Sequence, residues 1–251
     1  MTGSRPVDAG SKAGDPAENP ARSTNEPSLK GKGFKMLEID GRVTSLLDEV
    51  KARTGKKLVL IPRGDIPVRA AVVEGAGEKR IAIQYSPERC EAGDLAHELL
   101  RAIRLNDKEW RKMAPAGLEG RRASGWIEAL VHTPWILLEL RRRGLSSSGI
   151  LMDNFEAALQ YLETEDPPYC HVEDPKLRLV FSAVNYALYL LTKDSVDYGE
   201  RGVAFGLLYR MKDPTALKLG EEAAKIVKDN GCLTLKEAER AMKEIFKLFD
   251  F

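Results

Sequence analysis

Residues 56–86 hold every strand signal in the chain, and from residue 88 onward the signals are helical. "KKLVLIP" (56–62) is apolar and rich in β-branched residues. "VRAAVVEG" (68–75) runs into a Gly-Ala-Gly-Glu turn. "KRIAIQYS" (79–86) alternates, with Ile81, Ile83 and Tyr85 on one side. The short link between the second and third predicts an antiparallel hairpin. Ahead of them, Val43, Leu46, Leu47 and Val50 have helical spacing, and Gly55 is a natural stop. Such a chain folds as α+β, with a small, mostly antiparallel sheet followed by many helices.

The helices punctuate themselves. The spacing predicts segments 88–105, 121–132, 134–143, 153–164, 175–192, 199–211, 214–229 and 235–249. Asp174-Pro175 and Asp213-Pro214 each pair a cap with a first-turn proline. Thr133-Pro134 reads the same way and predicts a break between the second and third segments. Gly144 closes the third after three arginines. Thr234 and Glu237 stand in capping-box spacing.

Composition excludes some classes. The 251 residues are 43% hydrophobic, enough for a sizeable core, and the net charge of +1 favours no nucleic-acid partner. The three cysteines, Cys90, Cys170 and Cys232, form no C-x-x-C pair, which fits a reducing compartment. The longest apolar run, 177–191, contains Arg178 and Asn185 and is too short for a bilayer. The expectation is a soluble, cytoplasmic protein with no membrane contact. Residues 1–28 lack aromatics and are dominated by Gly, Pro, Ser, Ala and charges, so they read as a disordered tail. Order is expected from near Gly33.

The chemistry-bearing stretch is "GDLAHELLRAIRLND" (93–107). On a helix, Leu95, Ala96, Leu99, Leu100 and Ile103 form an apolar stripe. Asp94, His97, Glu98 and Arg101 form the opposite, polar one. One functional pattern uses this layout, with one face in the core and one toward a cleft. An ordinary amphipathic helix uses it too, with a solvated face and Glu98 and Arg101 as partners three apart.

The stretch "KRIAIQYSPERCEAGDLAHELLRAI" resembles the zincin metallopeptidases, and within them the small ImmA/IrrE-type members. In that family a strand ends in a Ser/Asn-Pro-Glu turn and enters an A-H-E-L-x-H helix. Here the turn is Ser86-Pro87-Glu88 and the helix core is Ala96-His97-Glu98-Leu99. The resemblance covers roughly residues 56–145 and implies a zincin-like domain over 33–145; residues 146–251 lie outside it and read as a helical extension packed on it. It further implies His97 as first zinc ligand and Glu98 as general base. The third ligand would come from the next long helix, where Glu128 and His132 stand four apart.

Arg101 departs from the pattern. It takes the place of the second histidine of H-E-x-x-H, and a guanidinium has no lone pair to give a metal. At an effective dielectric near 20, two unit charges ~4 Å apart interact by roughly 4 kcal/mol, and a dication doubles the repulsion. The arginine could instead bridge Glu98 and Glu128, as a metal would. The reading is a degenerate metallopeptidase domain that binds a protein or peptide, with no cofactor favoured and zinc the metal the resemblance implies. Two alternatives stand beside it. One is an active zinc peptidase with an atypical ligand set drawn from His97, Glu128, His132 and His171. The other is a helical interaction module unrelated to peptidases.

Other features read as structural. The basic run Arg101, Arg104, Lys108, Arg111, Lys112, Arg121 and Arg122 is diluted by Asp107, Glu109 and Glu119 and reads as a solvated loop. "VEGAGEKR" (73–80) joins two strands and lacks a phosphate loop's ending. Tyr186, Tyr189, Tyr198 and Tyr209 fit core positions.

Overall fold

The computed structural model describes residues 40–73, 79–110, 113–115 and 117–251. The tail at 1–28, the start near Gly33, most of the 73–80 turn, and Arg111 and Lys112 lie outside the described residues. The described residues fall in one compact unit. Among the described residues the order is α1 (Gly41–Thr54), β1 (Lys57–Pro62), β2 (Ala70–Val73), β3 (Arg80–Tyr85), α2 (Ala92–Leu105), α3 (Gly117–Arg142), α4 (Ser148–Thr164), α5 (Pro175–Thr192), α6 (Gly199–Lys212), α7 (Pro214–Asn230) and α8 (Leu235–Leu248). This is α+β with a helical C-terminal part. No helix among the described residues is long and apolar enough to cross a membrane.

The sheet is mixed, with order β1-β3-β2. The β2–β3 hairpin is antiparallel, with Val72 opposite Ile83, while β1 pairs parallel to β3, with Leu58 opposite Ile81. Strand periodicity does not encode neighbour order, so the parallel pair was not visible in the sequence. Burial explains β3's central place: Ile81, Ala82 and Ile83 are buried in succession, as a strand covered on both faces requires.

Two apolar clusters organise the unit. One gathers α1, the sheet and α2, and takes Ile136 and Leu140 from α3. The other gathers Trp110, the α3 residues Ala123, Ile127, Leu130 and Val131, and α4 to α8. α3 therefore serves both, and this accounts for a departure from the sequence reading. The helix does not break at Thr133-Pro134 but runs through Pro134. An interior proline costs about 3 kcal/mol and leaves the Leu130 carbonyl without its i+4 amide. Burial on both sides of the proline offsets that cost. The Thr133 hydroxyl turns inward and donates to the Ala129 carbonyl at 2.9 Å instead of capping a new helix.

The other punctuation holds. Asp174 and Asp213 accept from the amides of Leu177 and Ala216, with prolines in the first turns. Thr234 and Glu237 form the reciprocal capping box. Gly55 closes α1 at φ 65°. α5 and α7 approach so closely that a Cβ on Gly220 would stand 2.7 Å from the Ala183 carbonyl oxygen. Around them Tyr186, Tyr189, Tyr198, Phe205 and Tyr209 stack into the core as expected.

Candidate functional site

α2 begins after Glu91, whose side chain and that of Asp94 form a capping box. Asp94 also accepts the Ile150 amide at 3.1 Å, tying the start of α2 to the start of α4. The contact is tight: a Cβ on Gly93 would lie 1.6 Å from the Ser146 carbonyl oxygen. With α1 and the sheet on one side and α3 and α4 on others, α2 is buried almost all round. Gly93 to Leu100 are all buried, and so are Ala102, Ile103 and Arg104. The polar stripe is thus an interior face, not the solvated face of an ordinary amphipathic helix.

His97 is buried, and its Nδ1 has no hydrogen-bond partner among the described residues. Burial first, and the Arg101 charge second, push its pKa down to about 4, so the ring is neutral at neutral pH. The Glu98 carboxylate is also buried. Its Oε2 accepts the Val72 amide at 2.9 Å and lies 3.6 Å from Arg101 Nη1. Burial raises the Glu98 pKa, while Arg101 and the Val72 amide oppose the rise. Val72 belongs to β2, an edge strand, so the carboxylate that the resemblance assigns as general base is held against the sheet.

α3 carries the other candidate residues. Glu128 and His132 lie four residues apart, and both are buried. The residue that meets them was not anticipated. Trp110 Nε1 donates to Glu128 Oε1 at 2.8 Å, and the indole packs edge-on against the His132 ring with centroids 4.4 Å apart. Neither His132 nitrogen has a hydrogen-bond partner among the described residues. Burial, then Arg104, then Arg101, push its pKa down to about 3. Arg101 on α2 thus acts electrostatically on both imidazoles. Arg101 pairs with Glu98, and Glu128 Oε1 accepts from Trp110.

Arg104 also departs from the solvated-loop reading. It is buried, donates from Nη2 to the Cys232 carbonyl at 2.9 Å, and lies 4.6 Å from the Trp135 ring centroid. Burial lowers its pKa to about 10. His171, the fourth member of the atypical ligand set, lies in the α4–α5 connection, where its Nδ1 meets Glu165 at 3.1 Å.

Glu98 is engaged by an amide and a guanidinium, and Glu128 by an indole. Among the described residues no three His, Cys, Asp or Glu side chains converge as a ligand set. What the arrangement offers instead is a buried polar seam, with neutral imidazole nitrogens to spare and one partly exposed cation, Arg101. The signal for Trp110 was available in principle: a tryptophan among charges buries its ring only where its N–H finds an acceptor, and Glu128 is one. No family model, no curated protein and no solved structure matches the chain.

Proposed function

We propose that the chain is a degenerate zincin-like domain that binds a protein or peptide at the α2–α3 seam without zinc hydrolysis. One observation carries this reading: Arg101, in the seat of the second imidazole, has Glu98 as its counter-ion at 3.6 Å. A fixed cation there opposes a dication, and a carboxylate committed to that cation and to a strand amide is poorly placed to activate water. Arg101 is the member of the set that reaches solvent, with 29% of its side chain exposed, so a partner's acceptor groups would meet it first.

A second reading, an active zinc peptidase with an atypical ligand set, draws on the unpartnered nitrogens of His97 and His132. It needs Trp110 to release Glu128 and Arg101 to turn away.

Peptide-array binding by the wild type, Arg101→Ala and Glu98→Ala/Arg101→Ala tests the first reading. It expects binding to fall by roughly tenfold or more in both variants while the fold persists. Unchanged binding in a folded double variant would leave only the unrelated helical module.

A further inference from the structure

We infer that α6 pairs with α6 of a second copy of this chain, antiparallel, across a two-fold axis near Leu207. Among the described residues five large hydrophobic side chains are exposed, and three of them lie on this one helix. Val203, Leu207 and Met211 are 69%, 52% and 79% exposed. Their four-residue spacing puts them on one face. The opposite face of α6 is already committed, because Gly202, Phe205 and Tyr209 are buried in the core. A helix apolar on both sides has one side left to cover, and a contiguous exposed stripe of this kind marks an interaction surface more often than scattered single residues do.

Charge selects the occupant. Glu200 stands at the N-terminal end of the stripe and Arg210 at the C-terminal end, and both are exposed. Among the described residues neither is in an ion pair. Their neighbours are taken: Arg201 pairs with Glu156, and Lys212 donates to the Leu162 carbonyl at 2.6 Å. Antiparallel pairing about Leu207 sets Val203 against the partner's Met211 and carries Glu200 toward the partner's basic end. The two-fold repeats that match at the other end. Parallel pairing would bring like charges together. The same stripe is therefore self-complementary in one orientation only. The small exposed Ala204 beside it permits close approach.

The seam is short. Fourteen residues make a helix ~21 Å long, so the contact falls near the weak end of specific interfaces, and the dissociation constant is expected on the order of 10 μM.

Sedimentation equilibrium of the full chain over about 1 to 300 μM tests the pairing. The expected result is a monomer–dimer equilibrium that Leu207→Glu weakens by roughly tenfold or more, with an unchanged thermal melt at concentrations where the wild type is monomeric, because position 207 is exposed. Glu200→Arg alone weakens it, and Glu200→Arg combined with Arg210→Glu restores it to within a few-fold of wild type. A monomer at the highest concentration, or a dimer indifferent to Leu207→Glu, overturns the proposal. If Leu207→Glu dissociates the dimer but the double charge exchange fails to recover it, the antiparallel arrangement is overturned.

Discussion

Glu98 Oε2 lies 3.6 Å from the Arg101 guanidinium, one turn along the same buried helix. The same oxygen accepts the amide of Val72 at 2.9 Å. The pair does structural work, because it clamps the edge strand to α2. Glu98→Ala leaves a strand amide and a guanidinium without their acceptor, so it is expected to cost about 1–3 kcal/mol. Glu98→Gln keeps an acceptor for Val72 and is expected to cost less. Urea denaturation of both variants checks this; equal stability of all three proteins would remove the clamp.

Gly93 and Gly125 both sit inside helices but in opposite surroundings. A Cβ at 93 meets the Ser146 carbonyl oxygen at 1.6 Å, whereas one at 125 meets nothing within 4 Å. Gly93→Ala must push α2 away from the α3–α4 connection at Ser146 and is expected to cost about 3 kcal/mol or more. Gly125→Ala is expected to stabilise by roughly 0.5–1 kcal/mol through helix propensity. Denaturant midpoints of the two variants should move in opposite directions, and a tolerated alanine at 93 would contradict the packing.

The buried histidines make stability fall on the acid side. Each has a folded pKa below its unfolded value of 6.5: about 4 for His97 and about 3 for His132. Between those values the unfolded chain binds the extra proton. Their contribution is complete above pH 6.5 and is lost as pH falls toward the folded values, by on the order of 3 kcal/mol for His97 and on the order of 5 kcal/mol for His132. Glu98 works the other way: its raised pKa means that stability declines as pH rises through the window above 4.5. His132→Phe is expected to flatten the loss between pH 6.5 and 4, measured as urea midpoint against pH. A wild-type-like slope in that variant would show that His132 is not buried neutral.

Arg104 is a buried cation whose Nη2 donates to the Cys232 carbonyl, joining α2 to the α7–α8 connection. Its Nε has no partner among the described residues. Arg104→Ala removes the tie and the contact with Trp135 and opens a cavity, with an expected cost of about 2–4 kcal/mol. Arg104→Met fills the volume without a charge to desolvate and is expected to recover most of that. Because Arg104 also depresses His132, both variants should raise the His132 pKa in an NMR titration. No change there would place the guanidinium elsewhere.

The parts of this fold legible in the sequence are those set by local chemistry. The proline and capping-box signals place the starts of α5, α7 and α8 correctly, because a cap is decided within four residues. The break at Pro134 was misjudged because the burial that carries α3 through it comes from two separate clusters. The spacing of Glu128 and His132 gave their shared face, and the stripe on α2 gave its polar set. Neither could reveal Trp110, since the contact that engages Glu128 and covers His132 comes from a loop whose charges masked its one anchoring ring. Likewise nothing local distinguishes Arg104, buried, from Arg121, exposed.

The zinc content of the full chain, purified without chelator and equilibrated with zinc at neutral pH, tests the central claim most directly. A fixed guanidinium in the metal's seat predicts far less than one zinc per chain, unchanged by His97→Ala. One zinc per chain, lost in His97→Ala, would contradict it and restore the peptidase reading.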